Sequence, residues 1–141
     1  MTTKYIYSDG GRAEAGYKSS ARDCVVRAIC NATGKDYKEI YDRVNNFIGF
    51  YEKNKKSGSR NGVNNRTVKA LMEHWGFSWT ACMGIGTGCK VHLKSDELPK
   101  GTIICNLSRH LTCVKDGIIY DTYDCSREGT RCVYGYWRME E

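Results

Sequence analysis

Apolar residues follow a helical period in the first half of the chain and alternate with polar ones in the second. Val25, Ala28, Ile29 and Ala32 fall at i, i+3, i+4 and i+7. This spacing predicts a helix over about 23–33 with one buried face, stopped by Gly34. Tyr37, Ile40, Tyr41, Val44 and Ile48 form a second stripe, predicting a helix over about 36–50 with Asp36 near its start. A third helix, about 64–75, turns Val68, Leu71, Met72 and Trp75 inward and ends at Gly76. From Phe77 the pattern changes. Phe77–Met83 alternates as a strand does, Thr102–Leu107 reads as a buried strand, and 110–115 and 118–123 flank Asp116-Gly117, a strong two-residue hairpin signal. A last strand is expected over about 131–137.

Helices followed by antiparallel strands predict an α+β domain, with helices packed on a C-terminal antiparallel sheet. No internal repeat interrupts residues 1–141, so a single domain is expected. Residues 1–20 are rich in Gly, Ser and Tyr and read as an irregular arm. Residues 52–63 carry Lys53, Lys55, Lys56 and Arg60 among Ser, Gly and Asn, the composition of a mobile basic loop. That loop lacks the interleaved aromatics on which bases stack, so nucleic-acid binding ranks low.

The chain has 141 residues, 40% hydrophobic and 27% charged, an ordinary globular composition. No apolar run approaches the ~20 residues that span a bilayer, and the first residues lack a signal peptide's apolar stretch. A cytoplasmic protein without membrane association is expected. The net charge of +6 implies only weak attraction to polyanions. Eight cysteines stand at 24, 30, 82, 89, 105, 113, 125 and 132 with no Cys-x-x-Cys, so no metal and no cofactor are expected. Most are read as small buried hydrophobes. The equal gaps 82/89 and 125/132 are not diagnostic.

Cys24 opens the first predicted helix, where unpaired amides and the helix dipole favour the thiolate. Asp23, just before it, reads as a cap whose charge partly opposes that effect. The Asp116-Gly117 turn pairs Lys115 with Ile118, which sets Thr112 opposite Asp121 and His110 opposite Tyr123. His110 and Asp121 then share one sheet face as diagonal neighbours, with backbones roughly 7 Å apart. A carboxylate there orients an imidazole and stabilises its protonated form. His74 ends a helix, where a cation suits the dipole, and His92 has no evident partner, although Cys82 and Cys89 lie nearby in sequence. Gly84–Gly88 lacks the spacing and following helix of a dinucleotide loop.

Cys at a helix start, His at the head of a strand and an acid ending the next strand resemble the papain-like cysteine peptidase superfamily. The Asp23-Cys24 pair resembles that of the compact cell-wall endopeptidases. The run His110-Leu-Thr-Cys-Val-Lys-Asp-Gly-Ile-Ile-Tyr-Asp121 is similar to the His–strand–turn–strand–polar unit of that group and of bacteriocin-leader peptidases. The segments 23–29 and 129–137 also resemble small phage and bacterial proteins of this architecture. The resemblance implies a papain-like fold, a phage-encoded origin, and a cysteine hydrolase acting on an amide or isopeptide bond of a protein or peptide in the bacterial cytoplasm. By the same likeness Cys24 is the nucleophile, His110 the general base and Asp121 the orienting residue. Papain and the leader peptidases place a Gln upstream of the cysteine for the oxyanion, whereas this chain contains no Gln. Tyr17 matches loosely the upstream Tyr of the cell-wall branch, with the Cys24 amide as the other donor. The rival reading is a binding protein on the same scaffold that blocks a host enzyme or sequesters a small molecule.

Overall fold

The structure, a computed structural model, describes residues 4–18, 22–54, 56–84, 86 and 88–139. Parts of the predicted arm, of the basic loop and of 84–88 lie outside these residues. Among the described residues the chain forms three α-helices and one six-stranded, mostly antiparallel sheet. The α+β architecture is as the hydrophobic pattern predicts. The helices are α1 (Cys24–Thr33), α2 (Tyr37–Tyr51) and α3 (Asn65–His74). The strands are β1 (Tyr5–Tyr7), β2 (Phe77–Ala81), β3 (Thr102–Leu107), β4 (His110–Lys115), β5 (Ile118–Asp121) and β6 (Gly135–Met139). They lie in the order β1-β5-β4-β3-β6-β2.

Local signals explain the helix ends. Gly34 adopts a left-handed φ of 72° and donates its N–H to the Cys30 carbonyl, closing α1. Asp36 accepts the Glu39 N–H through its side chain and so starts α2. The apolar stripes of all three helices meet Ile104, Leu111 and Trp137 of the sheet in one core. Ile103, Cys105, Val114 and Ile119 join Leu93, Cys125 and Val133 in a second core. Alternation along β3, with Ile104 in one core and its neighbours in the other, thus buries both faces of the sheet. α1 packs on β4, β3 and β5. No helix among the described residues is long and apolar enough to cross a membrane.

Several expectations need correction. The N-terminal arm contributes β1, which pairs in parallel with β5, Tyr7 standing against Asp121. The last strand begins at Gly135 rather than Arg131, because the preceding segment turns to bond elsewhere: the Val133 N–H reaches the Val91 carbonyl and the Tyr134 N–H the Asn106 carbonyl. Cys89 and Cys132 are joined in a disulfide. The bridge between His92 and Cys132 sets their segments side by side, with the Cys89 and Cys132 Cα atoms 5.8 Å apart, within the span a disulfide can close. Cys30, Cys105, Cys113 and Cys125 are buried, as small apolar side chains would be.

The described residues of the basic stretch 52–63 are tied down. Glu52 accepts the N–H groups of Lys56 and Ser57 and the Thr67 hydroxyl, while buried Ser59 donates its hydroxyl to the Tyr41 carbonyl. Gly58 and Gly62 close a small bridge, and the Arg60 carbonyl accepts the Arg22 N–H. This segment is therefore held beside the start of α1.

Gly135 pairs with Ala81 where β6 meets β2. A Cβ there would stand 2.3 Å from two carbons of the Trp79 ring and 2.7 Å from the Thr80 carbonyl oxygen. Gly135→Ala should therefore cost about 1–3 kcal/mol through overpacking, read as a lowered midpoint in urea unfolding.

Candidate active site

Cys24 is the first residue of α1, so its amide has no partner within the helix. Asp23 occupies the N-cap position, but its side chain makes no capping bond. This corrects its expected role. The carboxylate is fully buried, and it accepts hydrogen bonds from Arg12 Nη1 (2.9 Å), Arg27 Nε (2.9 Å) and Tyr37 Oη (2.5 Å). Arg27 stands one turn further along α1 and donates Nη1 to Asp121 Oδ1 at 2.6 Å. Two carboxylates from distant parts of the chain thus share one guanidinium.

Asp121 ends β5 and is 2% exposed. The β4–β5 register pairs Lys115 with Ile118 and Cys113 with Tyr120, as the Asp-Gly turn predicts. Continued along the strands, it brings His110 Nε2 to 2.7 Å from Asp121 Oδ2. Thr112 Oγ1 donates to the same oxygen at 2.7 Å, and the Thr122 N–H donates to Oδ1 at 2.7 Å. With Nε2 engaged, Nδ1 is the His110 nitrogen left for the Cys24 thiol. Tyr123 stacks obliquely on the imidazole, ring centres 5.4 Å apart.

These surroundings set the proton balance. Burial by itself pushes the Asp121 carboxyl up, yet the His110 hydrogen bond and charge, Thr112 and Arg27 bring it down to about 2. Burial pushes His110 down, but hydrogen bonds to Asp121, Cys125 and Cys24 and the Asp121 charge outweigh it and raise the imidazole to about 12. Burial also raises the Cys24 thiol. The His110 hydrogen bond and charge, the Leu111 amide and Arg27 more than offset this, and its pKa falls below the ordinary 9.0. Cys30, Cys82, Cys105 and Cys113 move the other way, each pushed up first by burial. Arg12 and Arg27 balance Asp23 and Asp121 in charge.

Cys24 and His110 line one cleft of about 770 Å³, with Arg22, Asn61, Asn64 and Arg109 also on its walls. Asp121 lies behind His110. Tyr17 does not line this cleft. Its ring packs against Tyr37 and Tyr41 at 5.0 and 4.7 Å. Asp23 faces inward and does not reach the cleft. His92 pairs with Glu97 (Nδ1 to Oε1, 3.2 Å), and His74 lies against Phe47.

Sequence reasoning missed Arg12, Arg27 and Cys125, and placed Thr112 opposite Asp121 without giving it a role. The i, i+4 spacing of Asp23 and Arg27 was a readable sign of their pairing, whereas nothing local connects Arg12 with Asp23. Among the described residues, His110, Asp121 and Cys125 are the group whose ligand atoms fall within 4.8 Å of one another, close enough to share a cation. The Arg27 guanidinium 2.6 Å from Asp121 puts a positive charge beside that position, which suits an ion pair with His110 rather than a metal. No protein-family model, curated protein or solved structure matches the chain.

Arg27→Met removes the bridge while keeping much of its bulk, and should cost about 3 kcal/mol because two buried carboxylates lose a shared partner; denaturant unfolding reads this loss. The Asp121 carboxyl is lower in the fold, at about 2, than its ordinary 3.8. The stability it contributes is full above 3.8 and is lost as pH falls through about 2. Asp121→Asn should lower stability at neutral pH and flatten the acid limb of a stability–pH profile.

Proposed function

We propose that this protein is a papain-like cysteine hydrolase that cleaves an amide or isopeptide bond of a protein or peptide through Cys24, His110 and Asp121. The observation that carries this reading is geometric: Cys24, at the head of α1, shares one cleft with His110, whose Nε2 lies 2.7 Å from buried Asp121. The Cys24 thiol is pulled down by an imidazole bound to a buried carboxylate, while four others are pushed up. A thiolate in a cleft beside an imidazolium is the arrangement that attacks a carbonyl.

The attacking form of the pair is Cys24 thiolate and protonated His110. The sulfur adds to the carbonyl carbon, and the developing oxyanion meets the Cys24 amide at the start of α1. The C–N bond then breaks, and His110 Nδ1 gives its proton to the departing amine. A water molecule next loses a proton to Nδ1 and attacks the thioester. The C–S bond then breaks and the acid leaves, and with the proton kept on Nδ1 the pair is again thiolate and imidazolium. Asp121 keeps the ring oriented and its charge stabilised throughout.

Iodoacetamide labelling of the native protein, followed by peptide mass mapping, tests the reading. Cys24 should react first, with a pH midpoint below 9.0. His110→Ala should raise that midpoint and slow labelling at pH 7 by about tenfold per unit of pKa regained. Equal labelling of the six free cysteines, or labelling only after unfolding, would overturn the proposal. A protein that acts by binding alone would instead keep its function in Cys24→Ala.

A further inference from the structure

Behind His110 lies a second cleft of about 510 Å³, whose walls include Arg109, Arg127, Arg131, Tyr123 and Asp124. Two turns build it. Arg109 sits in the β3–β4 turn, and Arg127 and Arg131 belong to the segment that follows β5. Asp124 Oδ1 accepts the Ser126 N–H, and the Ser126 carbonyl accepts the N–H groups of Gly129 and Arg131, which tightens this segment.

Arg131 is the informative residue. It is only 8% exposed, and its guanidinium meets backbone carbonyls: Nη2 donates to Ser108 at 2.7 Å and Nη1 to Cys125 at 3.4 Å. Its Nε is buried with no hydrogen-bond partner, and the other such side-chain atom among the described residues, Ser126 Oγ, belongs to the same segment. Among the described residues, none of the three arginines pairs with a carboxylate. Asp121 could not serve, because its oxygens already hold Arg27, His110, Thr112 and Thr122. A guanidinium buried against carbonyl dipoles alone lacks the counter-charge that normally accompanies it. An anion entering this cleft would supply it, through the planar fork that arginine offers a carboxylate.

The position of the cleft says which anion. It shares Arg109, His110 and Tyr123 with the cleft that holds Cys24, so one molecule can occupy both. Cys24 reacts at a carbonyl carbon, and the molecule that brings such a carbon beside an anionic group is an acidic peptide. We propose that Arg109, Arg127 and Arg131 form a subsite for a carboxylate of the substrate, and that the bond cut at Cys24 lies next to an acidic residue or a chain end. This proposal rests on the acyl-transfer reading above and adds a substrate class to it.

Three thiol reagents test it in the full chain: iodoacetyl-Glu-amide, iodoacetyl-Ala with a free carboxyl, and the neutral iodoacetyl-Gln-amide. In each the Cys24 sulfur displaces iodide, forming a C–S bond as the C–I bond breaks. An anionic reagent should show saturation and outpace the neutral one by about tenfold, the size of one charge-assisted contact. Which of the two anionic reagents is faster distinguishes a side-chain carboxylate from a terminal one. The ratio should fall toward one in Arg127→Ala and below one in Arg127→Glu, both at an exposed position. Calorimetric titration with acetyl-Glu-amide and acetyl-Gln-amide reads the same preference without any reaction at sulfur. Selective binding of the glutamate compound together with an inert Cys24 would sink the hydrolase reading and keep the subsite. Equal affinities, equal rates, or a preference unmoved by Arg127→Glu would overturn the subsite. Displacement of acetyl-Glu-amide by a short single-stranded oligonucleotide that binds more tightly would overturn it in favour of a phosphate polymer.

Discussion

One guanidinium joins the two halves of this molecule. Arg27 reaches Asp23 at the head of α1 and Asp121 at the end of β5, at 2.9 and 2.6 Å. Burying charges this deeply is costly unless each is paired and its remaining lone pairs are satisfied. Both conditions hold here: Arg12 and Tyr37 complete the partners of Asp23, and Thr112, Thr122 and His110 complete those of Asp121. Without Arg27 two buried carboxylates would lose their common counter-charge, and α1 would lose its polar tie to the hairpin. Cys24 and His110 stand on those two elements, so their alignment inherits the geometry of the bridge.

The bridge also shapes the acid–base chemistry. Running from Arg12 through Asp23, Arg27 and Asp121 to His110, the charges alternate in sign. Arg27 and Asp121 favour each other's charged form, Asp121 favours that of His110, and His110 favours the Cys24 thiolate. The same side chain behaves otherwise elsewhere in the fold. Cys105 and Cys113, in the middle of β3 and β4, are walled in by apolar neighbours and hold their protons. Local charge and burial, not cysteine as such, decide which sulfur can act.

The walls of the Cys24 cleft come from segments that look unstructured by composition. Residues 56–65 are rich in Ser, Gly and Asn, yet they are anchored through Glu52, Ser59 and the Gly58–Gly62 bridge, and they line the cleft. The segment after β5 does the same for the arginine cleft. Both carry polar side chains that bond to the backbone, so they hold their shape without large apolar residues.

Much of this was legible along the chain. Periodicity placed the three helices and the central strands, Gly34 and Asp36 marked helix ends, and Asp116-Gly117 set the register that puts His110 beside Asp121. These features depend on residues a few positions apart, where backbone geometry translates spacing into direction. What lay beyond reach depends on pairs far apart in sequence: β1 beside β5, Cys89 with Cys132, Arg12 with Asp23, and Arg27 with Asp121. No local preference of Asp23 separates a helix cap from a buried counter-ion. The choice falls to whichever donors the fold delivers, and three-dimensional packing brought two guanidinium groups and a phenol to a carboxylate that the chain alone presents as a surface residue.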